Sequence, residues 1–303
     1  MIQPTLRVLV TGGSGFIGRH VVSELRNRGH LVTVADRVEF PDPEVATVSG
    51  DLCRDDIRER AVTPGTDAIV HLAAETSVLG SIEQPALVHR TNVEMTAALL
   101  ELARECNVGA FVFASTNAVV GPHDGVISED LPLAPLTPYG ATKAAAEMLL
   151  SGYSGAYGLR TPVLRLTNVY GTGMREKDSF IPRLLRAAAV GEGVQIYGDG
   201  QQRRDLVHVS DVAWAVAEAV EHWPSGPVII GSGESHSVQH LAQSAREATG
   251  SEIPGHFVAA KPGEMPAVVV DISRARNRGY DPAVTLTQGI RSAWADFTPS
   301  STA

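Results

Sequence analysis

The sequence predicts an α/β fold, a doubly wound parallel sheet with a smaller C-terminal α/β lobe, and three observations carry that reading. Short, apolar, β-rich runs alternate with longer helical patterns through the first ~165 residues. A glycine-rich turn follows the first of those runs and opens the first helical pattern. Beyond Asn168 the alternation gives way to a glycine-crowded segment. Strands and helices alternating at these lengths imply a parallel sheet covered by helices on both faces.

Taken in order, residues 6–10 read as the first strand and residues 16–28 as a helix ended by Gly29. Further strands are expected at 31–35, 68–72, 110–114 and 163–166, with long helical patterns over 85–105 and 139–157. The glycine-crowded segment holds one convincing helix, 181–190. After it, 208–220 reads as helical and 227–230 as a strand returning to the sheet. Helices at 238–249 and 287–297 complete the chain. Residues 1–169 plus 203–231 are thus expected to form a nucleotide-binding domain, and 170–202 plus 232–303 the lobe.

Bulk properties narrow the class. A chain of 303 residues with 44% apolar content can bury a sizeable core in about two domains. A net charge of −9, with no Lys/Arg run to offset it, argues against nucleic acid or an anionic membrane as the main partner. The longest apolar runs are strand length, well short of a membrane span. Residues 1–7 have no charged start leading into an apolar stretch. Cys53 and Cys106 sit in no ligand spacing, and neither His71 nor His208 has a second ligand at a suitable distance in sequence. No metal site is therefore expected. These features describe a soluble, cytoplasmic protein.

Gly12, Gly15 and Gly18 lie directly after a strand, at the opening of a helix. Glycine permits the tight turn, lets backbone approach a pyrophosphate and lets the helix pack on the sheet. The helix N-terminus then offers free N–H groups to the phosphates. The pattern is that of a Rossmann-type dinucleotide site. Asp36, at the end of the second strand, can accept from the adenosine ribose 2′-OH and repel a 2′-phosphate, which favours NAD over NADP. Arg37 beside it weakens that preference. Asp51 and Leu52 read either as adenine contacts or, for Asp51, as the cap of a short helix at 54–60.

Tyr139 and Lys143 are the most informative pair. Four residues apart on a helix, they share a face. The chain has six tyrosines and three lysines, so such a pair is expected by chance only about 0.06 times. Ser115 and Thr116 follow the fourth strand, which adds hydroxyls to the set. A phenol, an ammonium and hydroxyls beside a dinucleotide describe a site that moves a proton and a hydride at one carbon. A lysine ammonium and an oxidised nicotinamide would both favour the phenolate.

In this order and spacing the motifs resemble the extended short-chain dehydrogenase/reductase family, and within it the nucleotide-sugar epimerases and dehydratases. The resemblance covers nearly the whole chain. It rests on Gly12, Gly15 and Gly18; Gly50-Asp51-Leu52; His71-Leu72-Ala73-Ala74; Ser115-Thr116; Tyr139 with Lys143; and Arg165-Leu166-Thr167-Asn168-Val169-Tyr170-Gly171. Gly198-Asp199-Gly200, Arg204-Asp205 and His208-Val209-Ser210-Asp211-Val212 extend it. The resemblance implies NAD contacts at Gly12, Gly15, Phe16, Ile17, Asp36, Arg37, Asp51, Leu52, Leu72, Ala73, Ala74, Tyr139 and Lys143. It makes Tyr139 the acid/base, places Lys143 on the nicotinamide ribose and puts Thr116, supported by Ser115, on the reacting sugar hydroxyl. It implies substrate contacts at Thr116, Tyr139, Asn168, Arg204 and Lys261, the last three toward the diphosphate. Asn168 and Thr116 also have plainer readings, as a turn residue and as a strand end. Glu75 reads equally as a sugar contact or a solvated loop residue.

Two departures from the family pattern matter. Asn117 and Ala118 stand where a dehydratase would carry its acid pair, and Val120 replaces the usual tyrosine. Neither Asn117 nor Ala118 can give or take a proton, so β-elimination lacks its acid/base pair. The expected activity is that of an NAD-dependent nucleotide-sugar 4-epimerase working through a transient 4-keto sugar. A 4-keto-sugar reductase and a dinucleotide sensor without turnover are the rival readings. Apolar residues on more than one face of 85–105 and 139–157, among them Leu99, Leu100, Met148 and Leu149, suggest a homodimer joined through a four-helix interface.

Overall fold

The structure, a computed structural model, describes residues 4–259 and 268–298. The chain divides into two compact units: residues 1–123, 129–166 and 212–230 form the larger, and residues 124–128, 167–211 and 231–303 the smaller.

In chain order the strands of the larger unit begin with β1 (Arg7–Thr11), β2 (Leu31–Asp36), β3 (Ala46–Ser49), β4 (Ala68–His71) and β5 (Ala110–Thr116). After β6 (Val126–Ile127), which belongs to the smaller unit, the chain returns with β7 (Pro162–Leu166). The smaller unit then contributes β8 (Asn168–Tyr170), β9 (Val194–Tyr197) and β10 (Arg203–His208) before β11 (Gly226–Ile230) closes the large sheet. The smaller unit ends with β12 (Ser235–Ser237), β13 (Gly255–Val258) and β14 (Val269–Val270). Seven strands pair in the order β3-β2-β1-β4-β5-β7-β11, every pair parallel. The sheet is the doubly wound α/β arrangement the sequence predicts.

Central strands read as continuous apolar runs because helices bury both their faces. All of β4 and β7 is buried, including Arg165 in the middle of β7. The edge strand β3, Ala-Thr-Val-Ser, is partly exposed and gives only a faint signal in sequence. Helices α1 (Phe16–Asn27), α2 (Asp55–Ala61), α3 (Val78–Glu83), α4 (Pro85–His89), α5 (Met95–Glu105) and α6 (Pro138–Tyr157) flank the sheet. The expected helix over 85–105 is continuous in direction but contains a π-helical turn, Arg90–Glu94, between α4 and α5. Such wide turns recur at functional sites, and this one carries the buried Asn92.

Helix α6 is bounded as its sequence requires. Thr137 accepts from the Gly140 N–H as N-cap, Pro138 occupies the first turn, and Gly158 at φ +70° ends the helix. Its Leu150 packs with Leu99, Leu100, Phe111 and Phe113 in one buried cluster. Leu99 and Leu100 are therefore core residues and not part of an exposed second face. Met148 and Tyr157 are the large apolar side chains of α6 left exposed.

In the smaller unit β10 pairs in parallel with β8 and antiparallel with β12. This corrects the expected boundary. Residues 203–211 belong with the lobe because Leu206–His208 is in register with Asn168–Tyr170, and only 212–230 stays with the large sheet. Residues 167–169 and 124–128 also move to the lobe. The smaller unit also holds two short parallel pairs, β9 with β13 and β6 with β14, and helices α7 (Phe180–Val190), α9 (Val238–Thr249), α10 (Ser273–Arg276) and α11 (Leu286–Trp294). Helix α8 (Val209–Glu221) begins directly after β10. No helix among the described residues is long and apolar enough to cross a membrane.

The core assignment is testable. Leu150→Ala should lower stability by about 2–5 kcal/mol, the usual effect of emptying a fully buried leucine site. Ser151→Ala, the next residue and exposed, should change it by less than about 0.5 kcal/mol. Equal denaturation midpoints for the two variants would contradict the placement of α6.

Candidate active site

The carboxyl ends of β1 and β4 mark the point where strand order reverses, and ligands of open parallel sheets bind outside that point. Here the two ends are tied together. The Thr11 hydroxyl and His71 Nδ1 are 2.7 Å apart, and His71 Nε2 lies 3.0 Å from the Thr96 hydroxyl. Thr96 donates to the Asn92 carbonyl at 2.7 Å, so it accepts from an Nε2–H, and Nδ1 accepts from Thr11. His71 is thus a neutral strand histidine, its pKa pushed down to about 3 by burial and by the nearby Lys143 ammonium.

The glycine turn is as tight as its sequence requires. At Gly12, φ +70°, a Cβ would fall 2.8 Å from the Ala73 nitrogen, so the Leu72–Ala73 backbone lies directly against the turn. A Cβ on Gly18 would stand 2.2 Å from the Gly12 carbonyl oxygen, which lets α1 pack onto the turn only with glycine there. Gly15 is the N-cap of α1 and supplies no side-chain cap. The N–H groups that open the helix, at Phe16 and Ile17, therefore stay available to an anion. Asp36 is placed by the same turn: its carboxylate accepts from the N–H of Ser14 at 3.0 Å and of Val38 at 3.2 Å. Arg37 is exposed and lies 3.5 Å from Glu75, giving that loop glutamate an ion-pair partner. Asp51 does not cap α2, whose N-cap is Arg54, and instead accepts from the Cys53 N–H at 2.9 Å. Asp36, Arg37, Asp51, Leu52 and Ala73 share the lining of a cavity of about 50 Å³ beside Gly12. A narrow glycine cradle, an uncapped helix N-terminus and a carboxylate at the end of β2 fit a dinucleotide, and Ala74 continues the segment that faces the turn.

The reactive groups gather where β5 meets α6. Thr116 accepts from the Ala118 N–H at 3.2 Å, which leaves its hydroxyl proton free to donate. Burial raises the Tyr139 phenol above its ordinary pKa, and the neighbouring Thr116 hydroxyl draws it partly back. Lys143, 3% exposed, donates to the Ala114 carbonyl at 2.8 Å and stands over the Phe113 ring, 4.6 Å from its centroid. Burial pulls its pKa down to about 8, opposed by the Glu147 carboxylate. Two of its three N–H donors remain unspent. Ser115 is buried, and its hydroxyl donates to Glu147 at 2.5 Å. Asn92 reaches from the π turn to grip the backbone of Glu75, at 2.9 Å to both N and O, and donates to Thr142 at 3.1 Å.

In the smaller unit, Asn168 and Arg204 line a cavity of about 240 Å³ with Phe180, Gln195, Tyr197 and Gln202. Asn168 is oriented by its donation to the Asp205 carbonyl at 3.0 Å. The Asp205 side chain in turn holds the N–H groups of Ser232 and Gly233 at 2.9 and 2.8 Å, which fixes β10 against the 231–233 turn. His208 is satisfied by Ser210 and Ser292, as a strand histidine. Lys261 lies outside the described residues.

Sequence reading missed Asn92 and Glu147 and gave Arg165, present in a quoted motif, no role. A signal was present for two of them: Glu147 and Arg165 are opposite charges inside otherwise apolar patterns. Among the described residues, one carboxylate–histidine group has metal-ligand geometry, Glu218, Glu221 and His222, and Arg28 and His30 already occupy its carboxylates.

Residues 8–231 match the NAD-dependent epimerase/dehydratase family. The crystal structure of the Thermus thermophilus UDP-glucose 4-epimerase complexed with NAD superposes with a TM-score of 0.88, at 34% identity, over 96% of this chain and 99% of that one. MoeE5 in complex with UDP-glucuronic acid and NAD gives 0.87 at 37% identity, over 96% and 99%. The dTDP-glucose 4,6-dehydratase of Streptomyces griseus is 34% identical over 96% of this chain and 94% of that one.

Asp36→Ala removes both the anchor of Ser14 and the charge that repels a 2′-phosphate. Binding titrations should show NAD affinity reduced by at least ~10-fold and preference moved toward NADP. Tighter binding of NADP than NAD by the unaltered protein would instead make Arg37 the deciding residue.

Proposed function

Since the chain belongs to the NAD-dependent epimerase/dehydratase family, we propose that it is an NAD-dependent nucleotide-sugar 4-epimerase. The observation that carries this reading is the company of Tyr139. The Thr116 hydroxyl stands within hydrogen-bond reach of it, while the turn that follows offers only Asn117 and Ala118. Removing water across C5–C6 needs a base and an acid within hydrogen-bond reach, and this turn supplies neither. Reversible oxidation at C4 needs one acid/base.

NAD, when bound, would supply a two-electron acceptor and donor of hydride at C4. Gly12, Gly15, Phe16, Ile17, Asp36, Arg37, Asp51, Leu52, Leu72, Ala73 and Ala74 would hold it. Tyr139, as phenolate, takes the proton of the C4 hydroxyl, and Thr116 donates to the same oxygen. The sugar is then a 4-keto species that turns over before Tyr139 returns its proton to O4. Lys143, with two unspent N–H groups, would hold the nicotinamide ribose, and its charge would steady the phenolate. Asn168 and Arg204 retain the diphosphate, a guanidinium being suited to it, and Phe180 and Tyr197 offer ring surface to the base. UDP-hexoses are the first substrates to offer, given the relatives.

The protein further acts as a homodimer, joined through α5 and α6, where Met148 and Tyr157 leave apolar surface. Two unpaired cysteines and an acidic net charge support a cytoplasmic setting.

Tyr139→Phe removes only the ionisable oxygen. Turnover of a UDP-hexose, followed by NMR of the products, should fall at least ~10²-fold with NAD binding retained. Unchanged turnover would remove Tyr139 from the mechanism. Light scattering at micromolar concentration should give twice the chain mass, and a lone 32.1 kDa species would contradict the dimer.

A further inference from the structure

Glu147 and Arg165 form a buried ion pair that the reaction as described does not use. Each side chain is only 4% exposed. Arg165 Nη2 lies 2.8 Å from Oε2, and its Nε reaches both carboxylate oxygens, at 3.1 and 3.2 Å. The Ser115 hydroxyl donates to Oε1 at 2.5 Å. Arg165 Nη1 donates to the Glu129 carbonyl at 3.3 Å, and the Glu129 carboxylate accepts from the Ile229 N–H at 2.8 Å. Taking two ions this far out of water costs several kcal/mol each, and an apolar pair of the same volume often serves packing as well or better. Stability alone does not account for the charges.

Their position does. Glu147 follows Lys143 by one helical turn on the sheet-facing stripe of α6. Lys143 donates to the Ala114 carbonyl, and Ser115, the next residue, donates to Glu147. Successive turns of the helix thus grip successive residues of β5, and the residue after those is Thr116. The groups facing Lys143 are the Phe113 ring and Ala114 carbonyl of β5, His71 of β4, and Glu147 on its own helix, with Arg165 of β7 bound to that carboxylate. His71 is neutral. Glu147 is the one anion in that set.

We propose that Glu147, clamped by Arg165 and Ser115, is a positioning residue for the reaction, the buried counter-charge that keeps Lys143 an ammonium and docks α6 on the end of β5. Burial pulls Lys143 down and the Glu147 carboxylate opposes that pull. Without the carboxylate the midpoint drops further, and Lys143 loses its proton as pH rises through a lower value. The catalytic consequence rests on the role of Lys143 proposed above, whereas the charge state of Lys143 does not.

The chain has three lysines, Lys143, Lys177 and Lys261, so 13C-lysine labelling gives three ε-methylene signals to follow by NMR as pH is raised. Lys143 is identified by the signal lost in Lys143→Met. In Glu147→Gln its midpoint should fall by about one pH unit, and the alkaline limb of kcat should move down with it. Ser115→Ala, which keeps the charge, should leave the midpoint in place. Should Glu147→Gln leave Arg165 stranded and the protein unfolded, the double variant Glu147→Gln/Arg165→Met gives a neutral, filled site. The Lys143 midpoint should still fall, by less than in the single variant, because a neighbouring cation leaves with the anion. An unchanged Lys143 midpoint in the folded variant overturns the proposal. Failure of the unaltered protein to turn over any nucleotide sugar would sink the epimerase reading, and the NMR midpoint would still decide the role of Glu147.

Discussion

A lysine ammonium held 3% exposed is the constraint on which the site depends. Left alone, burial would discharge it, because the charged form suffers most from loss of water. The fold answers with one carbonyl, one aromatic face and one carboxylate, drawn from β5 and from the next turn of the same helix. The carbonyl lies 2.8 Å from Nζ and the ring centroid 4.6 Å, so the register of α6 on the sheet is set by these polar contacts as well as by Leu150 and its apolar neighbours. Tyr139, one turn earlier, inherits its position from that register.

The cofactor half follows a steric rule in place of an electrostatic one. Gly12 and Gly18 let three backbone segments, the turn, α1 and the Leu72–Ala73 strand exit, approach more closely than any side chain would allow. Thr11 and His71 then lock β1 to β4 at the reversal of strand order. Asn92 extends the tie, joining the loop after β4 to Thr142 on α6. The dinucleotide cradle and the reactive helix of the larger unit are therefore linked by buried hydrogen bonds through a π turn. In the smaller unit a buried carboxylate, Asp205, plays the corresponding organising part for Asn168.

Much of this was legible in sequence where residue type and spacing encode geometry directly. The apolar runs at 31–35, 68–72 and 110–114 announce strands, and Gly12, Gly18, Asp36, Tyr139 and Lys143 stand at offsets that only one arrangement uses. What sequence hid has a physical reason in each case. A π turn widens a helix by a single residue and barely disturbs its apolar period, so Asn92 gave no sign. Strand 203–208, Arg-Arg-Asp-Leu-Val-His, has only two apolar residues to announce it, and its pairing with 168–170 is a long-range choice. Ser115 reads in sequence as support for Thr116; only the fold shows that its hydroxyl is spent on the buried Glu147. Leu99 and Leu100 seemed surplus to the sheet because periodicity does not reveal how wide a face the sheet covers.

The central claim is that hydrogen leaves and returns to one carbon with no net change in cofactor. The direct test is to supply a UDP-hexose deuterated at C4 and read the label in the product by NMR and mass spectrometry. The account predicts a C4-inverted sugar that keeps its deuterium at C4, formed without added NAD(P)H. Loss of the label, or a product lighter by one water, would contradict it.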